Sequence, residues 1–143
     1  MAGCAEAVAG RISVCRLPHG GDLLQSIREA AEKLDVEAAV FWIIGAVKRA
    51  RVSFYDQERK TYRQMELGGP MEILSCTGNV GKLKGGTVVH AHAVFGEAEG
   101  RAYGGHVEKG TEIFSAEMFM VEVKGIRLER EFDETTGLNL FKL

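Results

Sequence analysis

The sequence predicts the α/β (α+β) fold class, in which one main helix packs against a β-sheet. Apolar residues recur at helical spacing in a single long segment, over 22–34. From Ala38 onward, β-branched and aromatic residues occur in short runs that glycines or charged turns separate. The length of 143 residues suits one domain with a substantial core, and no linker composition divides the chain. We expect a single domain over 1–143 with a disordered N-terminus over 1–9.

The regular structure is predicted to begin with a short strand over 11–16, where polar and apolar residues alternate. A turn over Pro18–Gly21 follows, and Asp22 is suited to cap the helix. The apolar face of that helix consists of Leu23, Leu24, Ile27, Ala30, Ala31 and Leu34. Eight further strands are predicted near 38–45, 47–56, 60–67, 71–78, 87–95, 101–108, 113–123 and 126–132. Polar residues at 56–59 and 97–100 predict hairpin tips.

The charge balance limits the partners of the protein. A formal net charge of −2 leaves no global positive field that would attract phosphate backbones. DNA would therefore have to meet a local patch, and Arg49, Arg51 and Arg101 are the basic residues that would contact it. Alternating charge along a strand is also typical of a solvated face, which is the competing interpretation.

Three features predict a cytoplasmic protein without a membrane span. The longest apolar run, Ala38–Val47, has about half of the roughly 20 residues that a membrane-spanning helix needs, so it predicts a buried strand. The N-terminal residues lack the basic region and sustained apolar core of a secretory signal. Cys4, Cys15 and Cys76 are odd in number and lack CxxC spacing, which argues against a disulfide framework and a cysteine zinc site.

Three of the four histidines lie close together in HAHAVFGEAEGRAYGGH. In a strand, His90 and His92 project from the same face. A turn centred on Ala98 places His106 opposite His90, and a turn centred on Glu99 places it opposite His92, whereas a register shifted by one residue sends it to the other face. Because neutral imidazole is the commonest zinc ligand, the set predicts zinc or another divalent metal. The alternative is a hydrogen-bonded polar face without metal.

The same histidines leave an enzymatic alternative open. In the first cupin motif an HxH pair is followed by Glu and then Gly, and Glu97 and Gly104 have those spacings here. The match is partial, because Gly85 precedes His90 by four residues rather than five and the second cupin motif is absent. A cupin-like metal-dependent enzyme would act on a small molecule, and Glu108 would be its acid or base because it shares a strand face with His106.

A second resemblance covers nearly the whole chain. Met71–Gly78 reads MEILSCTG and His90–Gly110 reads HAHAVFGEAEGRAYGGHVEKG, and both segments resemble the plants-and-prokaryotes conserved (PPC) domain family, which is also described as having a PD1-like DNA-binding motif. The resemblance implies a mixed, largely antiparallel sheet and assembly as a homotrimer. It also implies metal binding at the three histidines in some members. Plant members carry an AT-hook before the domain, and neither proline here supplies its Gly-Arg-Pro core, so the chain is similar to the stand-alone prokaryotic type.

These observations favour a non-enzymatic module that binds DNA, a regulatory protein or a small-molecule ligand. Trimerisation agrees with the number of large apolar side chains, which is too high for one face of one small sheet. Those side chains are Phe41, Trp42, Ile43, Ile44, Phe114, Met118, Phe119 and Met120. We expect some of them to meet another subunit.

Overall fold

The computed structural model describes residues 3–143, which form one helix and nine strands. In chain order the elements are β1 (Val8–Leu17), α1 (Leu23–Lys33), β2 (Ala39–Asp56), β3 (Thr61–Leu67), β4 (Met71–Leu83), β5 (Gly86–Gly96), β6 (Ala102–Val107), β7 (Glu112–Lys124), β8 (Glu129–Asp133) and β9 (Leu138–Phe141). None of the helical residues in this described part forms a segment long and apolar enough to cross a membrane.

The nine strands form one sheet in the order β1-β7-β2-β6-β5-β4-β8-β9, with β3 paired to β2. Every pairing is antiparallel except that of β4 with β8, so the predicted mixed, largely antiparallel sheet with one helix is confirmed. Strand β2 pairs with both β4 and β6, so the four strands β2, β6, β5 and β4 form a closed ring of pairings. This closure brings the β5–β6 hairpin against the second half of β2.

Strand β2 corrects the prediction of two strands over 38–45 and 47–56. It runs unbroken from Ala39 to Asp56 because irregularities in this region are accommodated as register shifts. The register with β4 shifts between Ile43 and Gly45, and the register with β7 shifts between Ala46 and Arg49. Gly45 has φ +146°, and a Cβ at this position would lie 2.1 Å from the carbonyl oxygen of Ser115. A bulge with this close approach requires glycine but does not end the strand.

The chain ends differ from the prediction. Residues 1 and 2, part of the segment over 1–9 that is expected to be disordered, lie outside the described part. Strand β1 begins at Val8, where Val8 and Ala9 pair with Lys124 and Val123 of β7. The strand predicted over 126–132 begins only at Glu129, and β9 was not predicted. Together β8 and β9 form a C-terminal hairpin that joins the sheet through its parallel pairing with β4.

Helix α1 begins as predicted after Asp22, whose carboxylate accepts a hydrogen bond from the backbone N–H of Gln25 at 3.0 Å. Its apolar face covers one side of the sheet, and Leu23, Ile27 and Ala31 are fully buried. The alternation along β2 and β7 divides the large apolar residues between two faces. The inward residues Phe41, Ile43, Met118 and Met120 lie in the core, whereas the outward residues Trp42, Ile44, Phe114 and Phe119 are exposed.

Candidate metal centre

The β5–β6 hairpin brings three histidines together. His92 lies directly opposite His106, so the hairpin is centred on Glu99, the second of the two registers that the sequence allows. His90 lies two residues before His92 on the same face of β5. A ligating nitrogen of each histidine lies within 4.8 Å of those of the other two. Strand parity and hairpin register are therefore enough to assemble the cluster.

The distances within the cluster fit a shared metal ion. The Nε2 atoms of His90 and His92 lie 3.2 Å apart. Two nitrogens that bind the same tetrahedral zinc at normal bond lengths lie about 3.3 Å apart. In addition, the Nδ1 atom of His106 is buried without a hydrogen-bond partner. Because the 3.2 Å contact is also a hydrogen-bond distance, the geometry suits both a metal site and the hydrogen-bonded polar face that the sequence allows.

The environment favours the neutral form of two of these rings, those of His90 and His106. Burial lowers the pKa of His90 to about 4, and the charges of His106, Arg130 and His92 act in the same direction. Burial also lowers the pKa of His106, although Glu108 acts against the shift. Neutral imidazoles keep a lone pair for a metal at pH 7.

Arg130 lies beside the cluster, and the sequence analysis did not predict it as a site residue. Arg130, on β8, donates from Nη2 to Asn79 Oδ1 at 2.9 Å, and the same Nη2 lies 3.3 Å from Nδ1 of His90. Its Nη1 donates to the carbonyl oxygen of Asn139 at 2.8 Å, and the ring of Phe141 lies 4.2 Å from the guanidinium carbon. Nothing in the local sequence marks this arginine, because its position depends on the pairing of β8 with β4.

Glu108 follows the last residue of strand β6, and its carboxylate lies on the side of His106. Strand β6 ends at Val107, and the backbone N–H of Glu108 donates to the carbonyl oxygen of Arg51 at 2.9 Å. Its carboxylate accepts a hydrogen bond from the buried Ser53 hydroxyl at 2.7 Å, and Ser53 lies opposite His106. The carboxylate is therefore held near His106 by β2, where its charge opposes the lowering of the His106 pKa by burial.

The three predicted nucleic-acid residues are all engaged with carboxylates. Arg49 lies 3.2 Å from Glu112, Arg51 forms an ion pair with Glu66, and Arg101 lies 2.8 Å from Glu97. Arg101 lies next to the tip of the β5–β6 hairpin, whereas the other two lie on β2. The pairing reduces the positive potential that each arginine presents to solvent.

A cavity of about 260 Å³ adjoins the cluster. His90, His106, Tyr62 and Arg130 contribute to its wall, together with residues of the C-terminal hairpin. The Tyr62 ring lies 5.1 Å from that of His106. The cluster therefore adjoins a partly apolar cavity, and Arg130 contributes a cation to the wall of that cavity.

Several solved structures share this fold. The chain is 39% identical to a metal-containing protein of Archaeoglobus fulgidus, with a TM-score of 0.94 over 99% of this chain and 100% of that one. It is 34% identical to a plant- and prokaryote-conserved protein of Pyrococcus horikoshii, with a TM-score of 0.92 over 99% and 98% of the two chains. A candidate DNA-binding protein of Ralstonia eutropha is 27% identical, with a TM-score of 0.80 over 91% and 90%.

The curated relatives are longer proteins. The chain is 30% identical over 129 residues to the bifunctional protein GlmU of a Synechococcus strain. The aligned region covers 89% of this chain but only 20% of that protein. The chain thus spans about a fifth of the length of the curated relatives it matches. A domain-family model also matches most of the chain, since residues 4–124 correspond to the Plants and Prokaryotes Conserved (PCC) domain. The chain therefore belongs to the Plants and Prokaryotes Conserved domain family.

Proposed function

We propose that this protein is a non-enzymatic, trimeric module that holds a divalent metal ion, zinc in the first place, between His90, His92 and His106. The observation that carries the proposal is the 3.2 Å separation of the Nε2 atoms of His90 and His92, with a nitrogen of His106 within 4.8 Å. The likeness to a metal-containing protein at 39% identity supports it. A metal bound by three imidazoles would supply an open position for a ligand.

Metal analysis of the protein purified without an affinity tag tests this proposal. We expect about one equivalent of zinc after equilibration with a slight excess of the metal and gel filtration. Replacing His90, His92 or His106 with alanine should each remove the tightly bound metal. His19→Ala is the matched control, because His19 lies outside the cluster and hydrogen-bonds the carbonyl oxygen of Phe114. A wild-type protein that retains no metal, or retention unchanged in the three variants, would contradict the proposal.

The homotrimer is proposed from the outward apolar face. Trp42, Ile44, Phe114 and Phe119 are exposed on neighbouring strands, and such a contiguous patch is typical of a protein interface. The resemblance to a trimer-forming family indicates two further copies of this chain as the occupants. A cytoplasmic location is part of the proposal, and the three free thiols support it because disulfides are rare there.

DNA binding is a second candidate function, which the likeness to the Ralstonia eutropha protein favours. The net charge of −2 and the paired Arg49, Arg51 and Arg101 argue for weak binding. Titration of duplex DNA at two salt concentrations should give an affinity that falls steeply with salt and differs little between sequences. Tight, sequence-selective binding in moderate salt would contradict this expectation and favour DNA recognition as the main function.

A further inference from the structure

The C-terminal hairpin places a guanidinium against the ring of His90. Parallel pairing sets Arg130 of β8 opposite Leu83 of β4, and the same β4 strand carries Asn79 opposite His90 of β5. Arg130 Nη2 donates to Asn79 Oδ1 at 2.9 Å and lies 3.3 Å from His90 Nδ1. The contact between the hairpin and the histidine cluster is therefore set by two strand registers.

Arg130, His90 and His92 are joined by two successive hydrogen bonds. A guanidinium can only donate, so His90 Nδ1 accepts from Arg130 with its lone pair. Burial lowers the pKa of His90 to about 4, so the ring is neutral at pH 7 and its single proton is then on Nε2. This Nε2 lies 3.2 Å from Nε2 of His92, which accepts the second hydrogen bond.

Arg130 and a metal ion compete for the same lone pair of His90. A neutral imidazole has one lone pair, and a metal ligand must give it to the ion. If His90 binds the ion through Nε2, its proton moves to Nδ1 and faces a donor of Arg130. If His90 binds through Nδ1, the guanidinium occupies the position of the ion. The ring has one proton before and after, but in both cases the hydrogen bond from Arg130 is lost.

The charge of Arg130 acts in the same direction as this competition. Burial lowers the pKa of Arg130, but a guanidinium keeps its charge at neutral pH. A cation at the cluster would be repelled by that charge across the width of one imidazole ring. The same charge already disfavours the protonated form of His90. Metal binding and the contact of Arg130 with His90 therefore oppose each other.

The C-terminal hairpin is attached lightly enough to respond to the loss of this contact. Within the described part of the chain, β8 pairs with β4 through two residue pairs. The Tyr55 hydroxyl donates to the carbonyl oxygen of Thr136 at 2.6 Å, and Lys60 Nζ donates to that of Glu134 at 2.9 Å. Residues 138–140 line the cavity beside the two half-buried histidines. An element held by so few bonds opens at a lower free energy than a central strand does.

We propose that Arg130 opposes metal binding at the histidine cluster, and that metal binding releases Arg130 from His90 and loosens the C-terminal hairpin. The proposal rests on the metal site of the proposed function and adds a regulation of that site. Without metal, Arg130 holds His90 and keeps the hairpin docked. With metal, the guanidinium turns away from His90, and residues 138–140 lose part of their support. Because such coupling is reciprocal, a factor that undocks the hairpin also tightens metal binding.

Zinc affinity and amide hydrogen exchange of the full chain test this inference together. The dissociation constant of zinc is measured by competition with a chromophoric chelator. We expect Arg130→Met to bind zinc about tenfold more tightly than the wild type, the effect of removing one opposing hydrogen bond. Saturating zinc should accelerate amide exchange over 138–141 in the wild type and should cause no further acceleration in Arg130→Met. Arg130→Gln replaces this variant if its melting curve shows that Arg130→Met does not fold.

Two further variants separate the hairpin from the charge. Arg127→Met removes the same charge from an exposed position before β8 and should leave the zinc affinity unchanged. Tyr55→Phe removes the hydrogen bond to Thr136 without changing any charge. It should tighten zinc binding by about two- to tenfold, because a smaller fraction of the protein then has the docked hairpin that opposes the metal.

Zinc binding by the wild type is measured first, so the two proposals fail separately. A wild type that binds no zinc contradicts the proposed function, and the inference then requires that Arg130→Met binds zinc. The inference is overturned if folded Arg130→Met binds zinc no more tightly than the wild type. It is also overturned if neither zinc changes the exchange over 138–141 nor Tyr55→Phe changes the zinc affinity, since Arg130 would then act by charge repulsion alone.

Discussion

Trp42 on β2 and Phe119 on β7 lie directly opposite each other, and 51% and 54% of their surfaces are exposed. Cross-strand partners share a face of the sheet, so the two rings form one apolar surface. The same row continues from Trp42 through Thr77 to His92, two strands further on. Trp42 and His92 are thus separated by about 10 Å. The proposed interface and the proposed metal centre lie on the same face of the sheet.

A charge at Trp42 should dissociate the trimer. Trp42→Glu places a carboxylate in the middle of a buried contact, and we expect the association to weaken by at least about a hundredfold because a large aromatic anchor is lost and a charge is desolvated. Sedimentation equilibrium should show a mass near three times the chain mass of 15.6 kDa for the wild type and near one chain for the variant.

The control for that prediction is Phe132→Glu, which introduces the same charge at another exposed aromatic residue on β8. It should remain trimeric. A wild-type chain that sediments as a monomer, or a Trp42→Glu variant of unchanged mass, would show that the outward face has another occupant.

Metal should stabilise the folded chain through the three histidines. A ligand present at a hundred times its dissociation constant, and bound only by the folded state, adds about 2.7 kcal/mol to the free energy of unfolding. We therefore expect zinc to raise the melting temperature of the wild type by several degrees and to have no such effect on His106→Ala. Equal shifts in both proteins would indicate zinc binding elsewhere.

Gly78→Ala should destabilise the protein and disturb β5 beside His90. A Cβ at Gly78 would lie 2.1 Å from the carbonyl oxygen of His90 and 2.5 Å from Cζ of the buried Phe41. Backbone and core must both move, and we expect a loss of about 3 kcal/mol in the free energy of unfolding, measured in urea. Gly68→Ala is the control, because its Cβ meets no atom within 4 Å, and it should change the stability little.

The carboxylate of Glu122 should stabilise the fold in a pH-dependent manner. Hydrogen bonds from the Arg11 side chain and backbone lower the pKa of Glu122 to about 2, and the charges of Arg11 and Lys124 add to the effect. The unfolded chain has the ordinary value of 4.5. Because the folded-state pKa is the lower one, the stabilisation is complete above about pH 5 and is lost as the pH falls from 4.5 to 2.

Glu122→Gln should therefore be less stable than the wild type at pH 7, and the two melting temperatures should converge near pH 2. Glu32→Gln is the control, because it removes the same charge from an exposed position on α1. The difference between its melting temperature and that of the wild type should not shrink between pH 7 and pH 2. A difference between the wild type and Glu122→Gln that persists unchanged at pH 2 would contradict the assignment.

The local sequence pattern predicted most elements of the fold. Helical periodicity and the Asp22 cap identified α1, and alternation identified the strands, because both patterns are local consequences of side-chain direction. The unbroken β2 was missed because a glycine signals equally a turn and a bulge, and only the neighbouring strands decide between them. The C-terminal hairpin was misjudged because its short strands carry little periodicity.

The sequence by itself determined that His90 and His92 share a strand face, since side chains alternate along any strand. It limited His106 to a small set of registers, and the hairpin centred on Glu99 selected the one that completes the cluster. Only the tertiary structure decided that Arg130 lies beside His90 and that Trp42 points outward opposite Phe119. These relationships depend on which distant strands pair and in what register, and that choice minimises the free energy of the whole sheet rather than of any short segment.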